Sequence, residues 1–448
     1  MTGASLSARR ELGPMVRMAV PLALAELGWI AMGLVDTVMA GRLGAVAVGA
    51  GGLGAMLFYP TAICGTGLLL GMDTLVAHAF GADDVEDCRR TLVNGIWLAL
   101  LVAAPLSLLL LALAPVLGAT GTNPRILAQF GPFVKALTWG ILPLLLYTAF
   151  RRYLQAVNIV KPVTFALVSA NVVNVVGNWA LMFGHWGMPR MGLEGSGLST
   201  SVSRLYMAAV LLVAILWHEQ RTGSRLFAMA WQPHWSRIRQ LIGLGAPAAG
   251  QILMEGAIFG LVTVFASRLA EAQLAAHVIA VNVIATTYMV PLGVSSAAAV
   301  RVGQAFGAKD WHAVTERGWM ALALGAGFMA TAGVLLASAP RLILRMYTTD
   351  ATVIAGGALL LRIAALFQLF DGLQVVATGA LRGLGDTRTP LVAHFAGYWL
   401  LGLPVAYGLC FSAHWGAPGI WVGLSAALIA IGLMLVTVWR WRTRALES

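Results

Sequence analysis

Acidic side chains inside long apolar segments are the residues of this sequence with the clearest chemical potential. Five lie in or beside such segments: Glu26, Asp36, Asp73, Glu255 and Asp371. A carboxylate at the centre of a bilayer costs roughly 2.5–3.5 kcal/mol on insertion scales, so each needs a partner, a bound cation or a proton. These acids therefore indicate cation or proton binding within a membrane.

Asp36 has polar side chains available as partners in the first half of the chain. Asn171, Asn174 and Asn178 recur at spacings of three and four residues, which places them in one stripe on a predicted helix, and Thr200 lies in the next apolar segment. Exposure of amides to lipid is costly, so the stripe should face protein or water. An aspartate beside amides can bind a cation or accept a proton. A satisfied network of interhelical hydrogen bonds is the alternative.

Glu255 and Asp371 form a second candidate site in the other half of the chain. Gln251 lies one turn before Glu255, and Gln368 and Gln374 flank Asp371 at three-residue spacings. Two carboxylates in one region of low dielectric repel each other unless a cation or a proton neutralises the charge. The pair would suit a site that is loaded and emptied by H+ or Na+.

Other kinds of chemistry have weak support in the sequence. There is no P-loop, dinucleotide fingerprint or G-x-S-x-G motif. His78, His277 and His394 are isolated, and the three cysteines are far apart without metal-ligand spacing. We therefore expect no catalytic residues, no enzyme activity, no ATP-driven pumping by this chain alone, and no cofactor other than Na+ or H+ as a coupling ion.

The composition identifies the elements that must position these acids. Of 448 residues, 59% are hydrophobic and only 10% are charged, and the mean hydropathy is +0.82. A soluble domain averages about 25% charged residues, so we expect an all-α polytopic membrane protein whose helices each need about 20 apolar residues. Twelve apolar runs are predicted: 15–40, 47–72, 92–117, 128–150, 163–183, 193–216, 240–267, 273–300, 318–340, 352–380, 389–411 and 417–439.

The distribution of Lys and Arg predicts the orientation of these spans. The net charge is +11, and one set of loops and ends holds 20 basic residues against six on the opposite side. Basic residues are retained on the cytoplasmic face, so we expect both termini in the cytoplasm and a multi-pass protein of the bacterial inner membrane. Retention of basic residues on the cytoplasmic face accounts for the positive net charge, so we expect no nucleic acid as a partner. The segment after MTGASLSARREL has no A-x-A site, and we expect an uncleaved first helix.

The two halves of the sequence resemble each other at a constant shift of 226 residues. Pro21 aligns with Pro247, and AHAFGADD at 77–84 aligns with GQAFGAKD at 303–310. Six spans per half is an even number, so the copies should share one topology and be related by an axis along the membrane normal, with a cavity between them.

The repeat defines the predicted domains. These are two six-helix lobes, 1–217 and 240–448, joined by a cytoplasmic loop at 218–239. Small residues allow helices to approach closely, and three glycine pairs are candidates for such contacts: Gly67/Gly71, Gly256/Gly260 and Gly379/Gly383.

Several segments together resemble transporters of the multidrug and toxic compound extrusion (MATE) family, NorM type. They include PLALAELGWIAMGLVDTVMAGRLG at 21–44, GMDTLVAHAFGA at 71–82, QILMEG at 251–256, GQAFGA at 303–308, and FDG at 370–372 followed by ALRGLGDTRTP at 380–390. The resemblance covers essentially the whole chain. It implies two lobes in a V shape, cation-coupled antiport, and export of cationic, amphipathic drugs and dyes.

The resemblance also implies roles for individual residues. Asp36, with Asn174, Asn178 and Thr200, resembles a cation or proton site of the N-terminal lobe, and Glu255 with Asp371 resembles a cation site of the C-terminal lobe. Relatives with a sodium site there can carry a tyrosine one turn before the aspartate, where this chain has Phe367. The missing hydroxyl predicts a weaker dependence on Na+.

A flippase for lipid-linked precursors is the alternative function within transport. Its cavity would carry basic residues for a pyrophosphate, whereas the intramembrane charges singled out here are acidic. Three basic residues lie within spans, Lys135, Arg204 and Arg362, and would favour the flippase if they line the cavity. Their roles and that of Glu26 stay open at this stage. We expect membrane lipid as a partner, no nucleic acid, and a monomer.

Overall fold

The protein is described here by a computed structural model covering residues 3–119, 121–221 and 231–447. Residues 222–230, which include Arg225 and part of the predicted inter-lobe loop 218–239, lie outside the described residues, as do the side chains of 3–10 with Arg9 and Arg10. The described chain is helical throughout. Its elements are α1 (Gly3–Gly41), α2 (Ala45–Leu68), α3 (Gly71–Gly81), α4 (Val85–Ala119), α5 (Pro124–Thr138), α6 (Ile141–Ala156), α7 (Lys161–Phe183), α8 (Leu193–Arg221), α9 (Trp235–Ala266), α10 (Glu271–Gly307), α11 (Trp311–Ser338), α12 (Pro340–Arg345), α13 (Ala351–Gly383), α14 (Arg388–His394), π1 (Phe395–Gly402), α15 (Leu403–Tyr407), π2 (Gly408–Ser412) and α16 (Ala417–Glu447).

The described residues contain eleven or twelve candidate membrane spans, in agreement with the predicted polytopic fold. Eleven continuous stretches are long and apolar enough to cross a membrane, and α5 with α6 forms a twelfth that is bent by 41°. The bend lies at Trp139 and Gly140, between the two helices. Most helices continue beyond their apolar runs, because helix propensity does not end where hydrophobicity does. The predicted run 240–267, for example, is part of α9, which begins at Trp235.

The internal repeat is visible in the turns that follow α3 and α10. Asp83 and Lys309, which are 226 residues apart, have φ angles of 57° and 58°. The next residues, Asp84 and Asp310, each accept a hydrogen bond from the backbone amide three residues later, at 2.9 and 3.0 Å. Both turns therefore use the same left-handed residue and the same N-cap to start the following helix.

The chain divides into two compact units, Leu27–Ala249 and Met1–Glu26 with Gly250–Ser448. They differ from the predicted lobes 1–217 and 240–448, because the beginnings of α1 and α9 pack with the opposite half of the sequence. Ion pairs hold both beginnings. Glu11 pairs with Arg301 and Arg317 in one unit, and Arg237, the repeat equivalent of Glu11, pairs with Asp87 in the other. The six-helix division of the sequence stays a prediction.

The predicted glycine contacts are only partly present. Gly67/Gly71 and Gly379/Gly383 lie against neighbouring helices, and a Cβ added at Gly383 would lie 2.7 Å from the backbone oxygen of Ala299. At Gly256/Gly260 no described atom lies within 4 Å of an added Cβ. The expected contact at that pair is wrong, because glycine spacing on a helix does not show which face meets a neighbour.

Candidate functional site

Asp36 lies at the centre of the polar network in the unit Leu27–Ala249. Asn178 Nδ2 donates to one carboxylate oxygen at 2.7 Å, and the hydroxyl of Thr200 is 3.0 Å from the other. Asn178 Nδ2 also lies 3.2 Å from Asn174 Oδ1, and Asn174 Nδ2 lies 3.4 Å from the Thr200 oxygen. All four residues that the sequence proposed for this site are therefore joined in one network across α1, α7 and α8.

The third residue of the amide stripe holds the helices together. Asn171 Nδ2 donates to the backbone oxygen of Gly28 at 3.1 Å, two turns before Asp36 on α1. The hydroxyl of Ser199 donates to the backbone oxygen of Asn174 at 2.9 Å and ties α8 to α7. Hydrogen bonds to backbone fix helix position as well as side-chain position, so the Asp36 network is anchored on both sides.

Arg204 brings a positive charge to the same unit. It lies one turn after Thr200 on α8, is 4% exposed, and has its guanidinium carbon 4.2 Å from the centre of the Phe58 ring. Lys135 and Arg362, the other two basic residues within spans, are exposed on their helices. Arg204 is therefore the one of the three that is buried beside a candidate site.

Glu255 and Asp371 share one amide in the other unit. Gln374 Nε2 lies 3.1 Å from Asp371 Oδ1 and 3.4 Å from Glu255 Oε1. Gln251 Nε2 lies 3.1 Å from the second carboxylate oxygen of Glu255. The structure thus brings together the two acids that the sequence paired, although Glu255 on α9 and Asp371 on α13 are 116 residues apart in the chain.

Two tyrosines that the sequence analysis missed also reach Glu255. The hydroxyls of Tyr288 on α10 and Tyr398 on π1 each lie 3.4 Å from Glu255 Oε1. Tyr398 is fully buried and lies in a π-helical segment, a distortion that is frequent at functional sites. Phe367, where relatives can carry a hydroxyl, instead stacks on Trp421 at 6.1 Å between ring centres. The hydroxyls around Glu255 therefore come from other helices.

His394 belongs to the surroundings of Glu255 and is not isolated as expected. Its Nδ1 lies 2.7 Å from the Pro390 backbone oxygen, and its Nε2 lies 3.2 Å from Gln251 Nε2 and 4.0 Å from Glu255. A carbonyl can only accept, so Nδ1 carries the proton, and Nε2 can accept from the Gln251 amide. Gln251 therefore bridges the histidine and the carboxylate.

His277 holds neighbouring helices together through both of its ring nitrogens. Trp421 Nε1 donates to His277 Nδ1 at 3.1 Å, and His277 Nε2 lies 3.1 Å from the Thr263 hydroxyl. An indole N–H can only donate, so the imidazole is the neutral form with its proton on Nε2. Both ring nitrogens are satisfied, and the group has no free position for a ligand.

The Glu255 site contains the oxygen ligands that an alkali cation needs. Besides the carboxylates, the side-chain oxygen of Gln374 is buried and has no donor among the described residues. Amide groups can turn over and hydroxyls can rotate, so each can present a lone pair to a cation. Across the described ranges, no group of three His, Cys, Asp or Glu residues has the arrangement of a metal site. The set suits a hard monovalent cation or a proton.

Up to twelve membrane spans that carry hydrogen-bonded carboxylates, in the described part of the chain, are the architecture of a membrane transport protein. The MatE family model matches residues 21–180 and 247–408, once in each half of the repeat. A protein of Mesorhizobium japonicum named "Probable multidrug resistance protein NorM" is 36% identical over 443 residues, covering 97% of this chain and 95% of that protein. "Multidrug resistance protein NorM" of Burkholderia vietnamiensis is also 36% identical, covering 96% and 93%. The chain therefore belongs to the MatE family of multi-pass membrane transporters.

Solved structures agree on the fold. The Vibrio cholerae MATE transporter VcmN in its bent form has a TM-score of 0.86 at 17% sequence identity, covering 99% of both chains. The eukaryotic MATE transporter AtDTX14 also has a TM-score of 0.86, at 20% identity and covering 98% of both. At these identities the similarity shows the fold alone.

Proposed function

We propose that the protein is a cation-coupled antiporter that exports cationic, amphipathic drugs and dyes from the cytoplasm across the bacterial inner membrane, with Na+ or H+ as the coupling ion. Relatives named for multidrug resistance support the class of cargo. The observation that carries the coupling is the Glu255–Gln374–Asp371 cluster, in which one buried amide contacts two carboxylates within membrane spans.

The arrangement of charge explains how the exchange works. A cation or proton bound between Glu255 and Asp371 removes their mutual repulsion, which is strong in a medium of low dielectric. Gln251, Tyr288 and Tyr398 donate to Glu255 and stabilise its charge when the ion has left. Cationic cargo and coupling ion both lower the energy of the same acidic side chains, so binding of one weakens binding of the other. That reciprocal coupling is the thermodynamic requirement of antiport.

The identity of the coupling ion depends on the oxygen atoms around Glu255. Phe367 offers only a ring, but the hydroxyls of Tyr288 and Tyr398 can donate to the carboxylate and still lend a lone pair to Na+. The site therefore has ligands for Na+ as well as an acceptor for H+. We propose that both ions compete for it and that drug export responds to either gradient.

Drug export is favoured over the flippase. A pyrophosphate carrier requires several basic side chains around its cavity. The intramembrane charges that one amide brings together, Glu255 and Asp371, are acidic and suit a cationic cargo. Arg204 is buried over the Phe58 ring, one turn after Thr200.

The test is dye efflux from proteoliposomes in which the pH gradient and the Na+ gradient are imposed separately. We expect ethidium efflux under either gradient in the wild type and its loss in Glu255→Gln and Asp371→Asn. Glu271→Gln, an exposed acid at the start of α10, is the matched control and should keep wild-type efflux. A wild type that responds to neither gradient, or variants as active as the control, would contradict the proposal.

A further inference from the structure

Arg204 is a buried charge that the proposed function does not use. It is 4% exposed and lies one turn after Thr200, whose hydroxyl donates to Asp36. A charged side chain taken out of water is unfavourable unless something compensates it. Because Arg204 lies beside the Asp36 network, the group that compensates its charge should lie in that network.

The surrounding helices make room for the guanidinium. The ring of Phe58 on α2 lies below it, with 4.2 Å from the guanidinium carbon to the ring centre, a cation–π contact. Gly140, at the bend between α5 and α6, lies on another side, and a Cβ added there would be 2.8 Å from Arg204 Nη1. An alanine at this position would therefore press on the guanidinium, so the bend and its glycine form part of the socket.

The guanidinium keeps hydrogen-bond donors free. Nε and Nη1 of Arg204 have no acceptor among the described residues. The residues within hydrogen-bond distance of the Asp36 carboxylate, from α7 and α8, are neutral. The titratable groups near Arg204 are Tyr59 on α2 and Asp36 on α1, and Arg204 supplies the positive charge of this cluster.

We propose that Arg204 is the internal counter-ion of Asp36, a positioning residue that compensates the carboxylate when its proton or cationic cargo has left. When Asp36 is loaded, the guanidinium rests over Phe58. When Asp36 is empty, the free donors of Nε and Nη1 turn towards the carboxylate. This deepens the proposed function and rests on Asp36 as an exchanging carboxyl.

Two opposite shifts follow from this role. Without the positive charge of Arg204, Asp36 loses its compensation and keeps its proton to higher pH. Without the Phe58 ring, the guanidinium loses its resting position and favours the carboxylate, so Asp36 releases its proton at lower pH. Neutral packing changes alone would not produce shifts of opposite sign at two residues that contact each other.

The experiment is an infrared titration of the protonated carboxyl band in the lipid-embedded protein, with the band assigned by its loss in Asp36→Asn. In Arg204→Gln we expect the midpoint of protonation to rise by about one pH unit, a tenfold change in proton affinity. Arg204→Lys should restore most of the wild-type midpoint, and Phe58→Leu should lower it. Lys135→Gln, which removes an exposed charge from the same unit, is the control and should leave the midpoint unchanged.

An unchanged or lowered midpoint in Arg204→Gln would overturn the proposal, as would a lysine variant that behaves like the glutamine variant. If Arg204→Gln does not fold, Phe58→Leu decides, because a rise in its midpoint or no change overturns the proposal. The titration requires no transport. Absence of dye efflux in the wild type would therefore count against the proposed function and not against the role of Arg204.

Discussion

Removal of the Tyr398 hydroxyl tests whether the missing hydroxyl at Phe367 is supplied from other helices. Tyr398→Phe removes one oxygen that lies 3.4 Å from Glu255 Oε1 and keeps the ring, which is fully buried. If that oxygen also binds Na+, the substitution should weaken Na+ binding. The response to a pH gradient should change less, because a proton needs only the carboxyl.

The expected loss of Na+ binding free energy in Tyr398→Phe follows from the geometry. A hydrogen bond to a charged group contributes about 1.5–3 kcal/mol, and a separation of 3.4 Å is at the long limit for such a bond. We therefore expect about 1 kcal/mol, which corresponds to roughly a fivefold higher Na+ concentration for half-maximal stimulation. Tyr288→Phe should have a similar effect. In the double variant, the Na+ concentration for half-maximal stimulation should rise by less than the product of the two single effects. Both hydroxyls contact the same carboxylate oxygen, so their contributions are not independent.

The assay is the Na+ dependence of ethidium efflux from proteoliposomes at fixed pH on both sides. Tyr407→Phe is the matched control, since Tyr407 lies nine residues later in the same span and is half exposed, with its ring against Phe265 and Phe411. The reasoning is refuted if Tyr398→Phe matches this control, or if the loss of the hydroxyl improves Na+ stimulation.

Three further predictions concern charge, packing and orientation. Asp36→Asn should fold, because Asn178 and Thr200 can donate to and accept from an amide, but should lose coupled efflux; wild-type efflux under saturating gradients would contradict the site. Gly379→Ala should lower the free energy of unfolding by about 1–3 kcal/mol, because the added methyl group overpacks against Ser295. Gly256→Ala should be neutral or stabilising, because its surroundings are open. Thermal unfolding in detergent compares the two variants. Gln232→Cys, at an exposed position shortly before α9, should react with an impermeant thiol reagent only after the cells are opened.

The sequence was sufficient for the spans, the repeat and the pairing of the main acids. A membrane helix requires a long apolar run, so composition alone locates it, and the bent pair α5–α6 still appears as one run at 128–150. The amide stripe on α7 was readable because helical periodicity places Asn174 and Asn178 on one face. A carboxylate within a membrane span requires such partners, and Asp36 is the acid that Asn178 contacts.

The tertiary structure alone decided which side chains from distant spans complete each site. Tyr288, Tyr398 and His394 reach Glu255 from α10, π1 and α14, and no periodicity relates them to it along the chain. Arg204 could be recognised in the sequence as a charge within a span, but its Phe58 and Gly140 surroundings come from other helices. Hydrophobicity and helical periodicity determine which residues lie on the polar face and which on the apolar face of each helix. Which faces meet depends on side-chain shape, on glycine contacts and on bends such as π1, and these are properties of the packed helices together.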